Sequence, residues 1–218
     1  MQPTYFPGIF NVNDIPQAMR IILTPEQGSS TDERWKIETP YVANLIHDSL
    51  AITNETIIVD YGCGIGRMAK ELITRHGCRV VGVDISPSMR ALAVIYVQSD
   101  RFFACSPLML DAMTIRGFRF DAAISIWVLQ HCYQPGDDVA RIRNSLKADG
   151  RLFVLNNIDR VVPTVESDKF NWATDNIDIK SMLTREFELE KDGRLPREVL
   201  GSLTDLSFWA SFRQRGSV

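Results

Sequence analysis

Residues 59–67 read VDYGCGIGR, and they directly follow a short apolar, β-branched run at residues 57–59. Such a run is typical of a buried strand, and glycines between a strand and a helix let backbone N–H groups approach a ligand closely. The dinucleotide fingerprint is GxGxxG, which ends in a third glycine and whose backbone approaches a pyrophosphate at the start of the helix. Here the pattern is GxGxG, with Arg67 at the position of that glycine and Asp60 before the turn. Because a carboxylate there repels a pyrophosphate and attracts an ammonium group, we expect a ligand with an amino-acid end.

A second acidic residue, Asp84, ends the next apolar run, 22 positions after Gly62. A carboxylate at the end of that strand can accept hydrogen bonds from both hydroxyls of a ribose. Ribose plus an ammonium-bearing tail describes S-adenosylmethionine. The alternative interpretation treats Asp60 and Asp84 as polar strand ends and the glycines as an ordinary tight turn, but it leaves their joint order unexplained.

Apolar runs alternate with helical patterns along most of the chain, which predicts a parallel α/β sheet covered by helices on both faces. Helix starts are predicted where a capping residue or a proline opens a helical pattern, and stops where glycine ends one. The starts are Thr39-Pro40, Ser86-Pro87 and Pro135, and the stops are Gly77 and Gly150. Strands are expected near residues 57–59, 80–83, 101–104, 122–128 and 152–155, with two amphipathic late strands at 187–190 and 206–212.

Four segments together resemble the class I S-adenosylmethionine-dependent methyltransferases, over about residues 40–156. They read VDYGCGIGR, VVGVDISPSM, FDAAISIWVLQH and LKADGRLFVLN, which resemble motif I, the ribose motif, and the fourth-strand and fifth-strand motifs. The resemblance implies a Rossmann-like, seven-stranded, mostly parallel sheet whose last strand is antiparallel, a place that residues 206–212 can fill. It also implies methyl transfer from S-adenosylmethionine to an acceptor.

The resemblance also assigns cofactor-binding positions. Gly62 and Gly64 would line the methionine part beside Asp60, Asp84 would hold the ribose, and Ile85 would pack on the adenine. Cys63 and Gly66 complete the glycine turn, and Trp127 borders the methyl-donor pocket or packs under the next helix. Many relatives carry an acid after the third strand that contacts the adenine amino group. This chain has none at residues 103–107, so Ser106 or a backbone carbonyl is expected there instead.

Acceptor-side residues are expected after the fourth and fifth strands, because ligands in open α/β sheets bind beyond the carboxyl ends of the strands. His131 is a candidate general base for a hydroxyl or ring nitrogen, or else it simply hydrogen-bonds its own loop. Further candidates are Asn156, Asn157, Trp172 and Asp175, the last two in a segment expected to be irregular. Arg34 and Trp35 precede the predicted first helix. Arg34 can pair with the methionine carboxylate, although a solvated surface arginine is the simpler interpretation.

The composition limits the class of protein and the classes of acceptor that the chain can bind. The chain has 218 residues and a net charge of −3, which with its apolar content is typical of a globular protein rather than a disordered one. No apolar run is long enough for a membrane span, the start does not read as a secretory signal, and the four scattered cysteines suggest a reduced, cytoplasmic protein without a metal site. The acidic balance and the absence of a (D/N/S)PP(Y/F/W) motif disfavour DNA, so a small-molecule acceptor is expected.

The domain prediction is a single methyltransferase unit with a cap segment at residues 1–38, a cofactor core at 39–156 and an acceptor-side segment at 157–218. Three other functions stay open. One is an NAD-linked oxidoreductase, opposed by the missing third glycine and by Asp60. Another is a methyltransferase-fold binding module without its own activity, suggested by the absent adenine acid. The third is a protein or RNA methyltransferase that finds its polymer through a partner.

Overall fold

A computed structural model describes residues 4–25 and 28–215. Its strands are β1 Thr4–Tyr5, β2 Ile57–Tyr61, β3 Arg79–Val83, β4 Phe102–Cys105, β5 Phe120–Ile126, β6 Leu146–Asn157, β7 Val162–Glu166, β8 Lys169–Ala173, β9 Phe187–Gly193 and β10 Ser207–Gln214. Its helices are α1 Ile15–Ile22, α2 Thr31–Leu50, α3 Arg67–His76, α4 Pro87–Val97, α5 Pro107–Ile115, α6 Pro135–Ser145, α7 Ile179–Glu186 and α8 Arg197–Leu200. Short 3-10 turns lie at Pro7–Phe10, Leu129–His131 and Gly201–Leu206.

Seven strands form the main sheet, in the order β4-β3-β2-β5-β6-β10-β9. The pairs from β4 to β6 are parallel, whereas β10 runs antiparallel to both β6 and β9. The predicted α/β architecture, with seven mostly parallel strands and an antiparallel last strand, is therefore confirmed. Its consequence for function is that β2, β3, β5 and β6 bring their carboxyl ends to one edge, where the strand order reverses between β2 and β5.

Both faces of the sheet are buried, which explains why the central strands read as continuous apolar runs. Val59 and its neighbours pack with α6 on one face, whereas Ile58 packs with α2 and α3 on the other. The four cysteines are free, and three of them are buried. Within residues 4–25 and 28–215, no helix is long and apolar enough to cross a membrane.

Two predicted helix boundaries are wrong. Thr39-Pro40 does not begin a helix but lies inside α2, which starts nine residues earlier behind the capping box of Ser30 and Glu33. Gly150 does not end a helix either, because α6 ends at Ser145 and the chain passes directly into β6, where Leu146 pairs with Phe120. The predicted starts at Pro87 and Pro135 and the left-handed stop at Gly77 are confirmed.

A second, three-stranded antiparallel sheet covers the carboxyl edge of the main one, in the order β1-β7-β8. Tyr5 pairs with Thr164, and the Phe6 N–H donates to the Pro163 carbonyl at 2.9 Å. Trp172 lies in β8, so the expectation of an irregular segment after the fifth strand is wrong at this point. The N-terminal segment and the β7–β8 hairpin thus form a joint cap over the site.

Candidate functional site

The glycine turn after β2 is held by the end of β3. The N–H groups of Gly62 and Cys63 both donate to the Val83 carbonyl, at 2.7 and 3.0 Å. Gly62 has φ +79°, a left-handed value that favours glycine, and any side chain there would clash with Val128. At Gly64 an added Cβ would lie 2.6 Å from Ile22 of α1, so the turn is packed tightly under the cap.

Asp84 uses both carboxylate oxygens to fasten this edge of the sheet. Oδ2 accepts from the Gly64 N–H at 2.8 Å, and Oδ1 accepts from the Ser86 N–H at 2.9 Å. Burial raises the pKa of this carboxyl, and the two N–H donors act against that rise. The Ser86 hydroxyl also donates to Asn11 Oδ1 at 3.1 Å, which connects the cap to the loop that follows Asp84.

Asp60 lies beneath the turn and is only 3% exposed. Burial raises its pKa to about 7, although the charge of Arg67 acts in the opposite direction. Its Oδ2 has no hydrogen-bond partner among the described residues. A buried, half-satisfied carboxyl next to a ligand loop is a group that a cation can stabilise.

The turn opens into a cavity of about 810 Å³ that extends under the cap. Among the predicted cofactor residues, the lining includes Gly62, Gly64, Asp84, Ile85 and Trp127. Among the predicted acceptor-side residues, it includes His131, Asn157 and Trp172. The structure therefore brings both predicted sets to one cavity.

The remaining predicted residues lie outside the lining. Asn156 is fully buried, and its side chain accepts from the Gln130 N–H at 3.2 Å and donates to the Asn157 carbonyl at 2.9 Å. Asp175 pairs with the buried Arg160. Ser106 caps α5 by accepting from the Met109 N–H. Asp60, Cys63 and Gly66 support the turn from behind rather than lining the cavity.

His131 is held in one orientation at the far end of the cavity. Its Nδ1 lies 2.7 Å from the Val161 carbonyl oxygen, which requires Nδ1 to carry the proton, so the lone pair is on Nε2. The Gln130 side-chain amide lies 3.3 Å from Nε2. Burial lowers the pKa of His131, and therefore the ring is neutral at pH 7.

A protein-family model described as "Methyltransferase domain" matches residues 59–154, which contain the glycine turn, Asp84 and His131. Structural neighbours share the fold: the Burkholderia thailandensis 1,6-didemethyltoxoflavin-N1-methyltransferase, which holds 1,6-didemethyltoxoflavin and S-adenosylhomocysteine, aligns with TM-score 0.58 and 22% identity over 81% of this chain and 78% of that one. Residues 59–154 are therefore similar to a methyltransferase domain, and the chain shares the fold of this S-adenosylhomocysteine-bound methyltransferase.

Curated relatives of this chain differ in what their names say they act on. The tRNA U34 carboxymethyltransferase of Cellvibrio japonicus is 26% identical over 57% of this chain and 39% of its own length. The ubiquinone biosynthesis O-methyltransferase of Bartonella quintana is 31% identical over 44% of this chain and 39% of its own length. The match thus spans about two fifths of these relatives.

A buried ion network ties α2 to the site. Glu38, which is fully buried, accepts from Arg34 at 2.9 Å, from Arg67 at 3.2 Å and from the Trp127 indole N–H at 2.8 Å. Trp127 has φ +62°, a strained value for a bulky residue that this bond helps to hold. Arg34 lines the cavity and is buried, so the expectation of a solvated surface arginine is wrong.

We expect Glu38→Ala to lower the free energy of unfolding by about 3 kcal/mol, because it leaves two buried arginines without their carboxylate. Urea denaturation followed by circular dichroism measures the change. The matched control is Glu71→Ala, which removes a surface i,i+4 partner of Arg75 and should cost under about 1 kcal/mol. Equal effects of the two substitutions would contradict a structural role for the buried network.

The sequence did not predict several residues that line the cavity. Tyr5 and Phe10 come from the cap, and Tyr61, Asp138 and Arg141 form a hydrogen-bonded cluster in the same lining. The Arg141 guanidinium donates to the Tyr61 hydroxyl at 3.0 Å and to Asp138 at 3.1 Å, and Tyr61 also bonds Asp138. Asp138 follows the predicted helix start at Pro135, so the first turn of that helix was the one available signal.

Proposed function

We propose that this chain transfers a methyl group from S-adenosylmethionine to a small-molecule acceptor. The observation that carries the proposal is a single cavity with the Asp84-fastened glycine turn on one side and a neutral, oriented His131 on the other. This reaction requires a methyl donor and a proton acceptor that face the same cavity.

A basic and an acidic side chain lie near the glycine turn, and each has one polar atom without a hydrogen-bond partner among the described residues. Their charges fit the amino-acid end of the cofactor. Arg34 lines the cavity, and its Nε has no hydrogen-bond partner within the described part of the chain. Asp60 Oδ2 is the corresponding unpaired acceptor. We assign Arg34 to the methionine carboxylate, Asp84 to the ribose and Ile85 to the adenine. Asp60, which lies behind the turn, is assigned to stabilise the ammonium group by its charge. When bound, S-adenosylmethionine supplies a methyl group already activated on a sulfonium.

His131 is assigned as the general base. The Val161 carbonyl fixes the Nδ1–H tautomer. Once the acceptor replaces the Gln130 amide N–H, which lies 3.3 Å from Nε2, Nε2 can accept the proton that an acceptor hydroxyl or ring N–H loses as its oxygen or nitrogen attacks. The aromatic rings of Phe10 and Trp172, with centroids 5.8 and 5.3 Å from that of His131, hold the imidazole on two sides.

The proposal is tested by calorimetry with S-adenosylhomocysteine and with NAD, followed by transfer of labelled methyl groups to fractionated small-molecule extracts and to bulk tRNA. We expect binding of S-adenosylhomocysteine alone and labelling of a small molecule. Binding of NAD alone would reject the methyltransferase assignment. Labelling of tRNA alone would reject the small-molecule acceptor, and tight cofactor binding without any transfer would favour a binding module.

Cofactor affinity should depend on pH through Asp60. The carboxyl has a pKa of about 7 without ligand, and a bound ammonium group stabilises its ionised form, so binding lowers that pKa and releases a proton. Between pH 8 and pH 6 we therefore expect the affinity for S-adenosylhomocysteine to fall about ten-fold. Calorimetry in buffers of different ionisation enthalpy measures both effects.

The control for this prediction is Asp60→Asn, which should bind more weakly at pH 8 but lose most of the pH dependence and the proton release. Asp121→Asn changes a carboxyl at the opposite end of the sheet and should leave both unchanged. A pH-independent affinity of the wild-type protein would contradict the electrostatic role of Asp60 toward the ammonium group.

A further inference from the structure

The acceptor end of the cavity is walled by five aromatic rings, and we call this set the aromatic wall. Its members are Tyr5, Phe10, His131, Tyr133 and Trp172, all of which line the cavity. Tyr5 stacks on Tyr133 with centroids 5.2 Å apart, and Phe10, His131 and Trp172 form a second continuous group. The aromatic wall is assembled from three separate parts of the chain: residues 5–10, residues 131–133 and Trp172.

The polar groups beside the aromatic wall are mainly acidic or neutral. Asp137 and Asp138 line the cavity there, with Arg141 as the single cation of that wall, already bonded to Asp138 and to Asp111 at 2.8 Å. Burial raises the pKa of Tyr5 to about 12, so its phenol stays uncharged. Arg160 lies behind this end, where it pairs with Asp175 and donates to the carbonyls of Cys132 and Tyr133, so the described lining itself carries more acidic than basic groups.

The other lining arginines, Arg20 and Arg34, belong to α1 and α2. Helix α1 packs through Ile22 on the glycine turn, and Arg34 is tied through Glu38 to Trp127. These cations thus come from the helices that cover the cofactor side. The cofactor side therefore carries Arg20 and Arg34 together with Asp84, whereas the aromatic rings lie with Asp137, Asp138 and Arg141.

We propose that the acceptor is an uncharged aromatic molecule that lies against the aromatic wall and presents a ring hydroxyl or ring N–H to Nε2 of His131. The inference rests on the proposed function and narrows its substrate class. Flat rings gain from edge-to-face and offset contacts with the faces of Trp172 and Phe10. A carboxylate or phosphate on the acceptor would face Asp137 and Asp138 and lose affinity.

The test uses protein saturated with S-adenosylhomocysteine and three matched probes: 2-naphthol, its saturated analogue decahydro-2-naphthol, and the anionic 6-hydroxy-2-naphthoate. Calorimetry gives the three dissociation constants. We expect 2-naphthol to bind about ten-fold more tightly than either of the other two. Equal or tighter binding of the saturated or the anionic probe, or no binding of any probe to the loaded protein, would overturn the inference.

Two variants assign the effect to residues. Trp172→Ala should remove most of the preference for 2-naphthol over decahydro-2-naphthol, whereas Trp172→Phe should retain it. Asp137→Asn should improve binding of the naphthoate and leave 2-naphthol unchanged. Phe103→Ala deletes an equally exposed ring on the distant edge strand β4 and should change neither. An unchanged ring preference in Trp172→Ala would contradict the assignment.

The binding experiment distinguishes a wrong acceptor class from a wrong proposed function. If S-adenosylhomocysteine binds and the naphthol preference is absent, the methyltransferase proposal stands and the acceptor class is wrong. If S-adenosylhomocysteine itself does not bind, the proposed function fails before the acceptor question is reached.

Discussion

Asp84→Ala should weaken binding of S-adenosylhomocysteine at least about 100-fold, because it removes two kinds of interaction together. The carboxylate holds the Gly64 N–H at 2.8 Å and the Ser86 N–H at 2.9 Å, so its loss frees both the glycine turn and the start of α4. It also removes the proposed acceptor for the ribose hydroxyls. Calorimetry measures the affinity, and a denaturation curve shows how much of the loss is due to unfolding.

A matched control exists in the same sheet. Asp121 also accepts a backbone N–H, that of Ile57 at 2.8 Å, but at the opposite ends of β5 and β2. Asp121→Ala should therefore cost some stability and leave the affinity for S-adenosylhomocysteine unchanged. If Asp84→Ala remains folded and binds as tightly as the wild-type protein, the assignment of Asp84 to the ribose is wrong.

The central sheet could be predicted because its signals are local and redundant. Strands buried on both faces read as unbroken apolar runs, and Ser86-Pro87 and Gly77 carry the stereochemistry of helix ends in their own side chains or in the lack of one. Thr39-Pro40 carries the same start signal, yet it lies inside α2. There the buried contacts of Glu38 with Arg67 and Trp127 require the helix to continue, and such long-range pairs leave no periodic trace in the sequence.

Some residues of the site could likewise be predicted from the sequence, and others could not. Gly62, Gly64 and Asp84 could be found because the ligand side of a parallel strand is fixed by where that strand ends. Tyr5 could not, because its strand has two residues, too few for any periodicity, and pairs with a hairpin about 160 positions away. The burial of Arg34 was hidden for a related reason, since it depends on the partner Glu38 and on the loop carbonyl of Thr24.

Replacing His131 should lower the turnover number by a factor of about 10² to 10⁴ while leaving the affinity for S-adenosylhomocysteine unchanged. Both His131→Ala and His131→Asn are needed, because Asn keeps a donor for the Val161 carbonyl but cannot accept the acceptor's proton. Initial rates of labelled methyl transfer at saturating cofactor measure the effect. His47→Asn is the control, since His47 stacks on His76, away from the cavity lining.

The proton-accepting role has a second consequence that a purely structural histidine would not share. A neutral base loses activity as the pH falls through its own pKa, and burial holds the pKa of His131 below its usual value. Gln130→Glu places a carboxylate where the amide now lies 3.3 Å from Nε2, which stabilises the imidazolium, raises that pKa and moves the acidic limb of kcat/KM to higher pH. Nuclear magnetic resonance titration of the three histidines, assigned through His131→Asn, should show the same upward shift in His131 alone. Near-native turnover in both His131 variants, or a kcat/KM profile that stays in place while the His131 titration moves, would exclude His131 as the base.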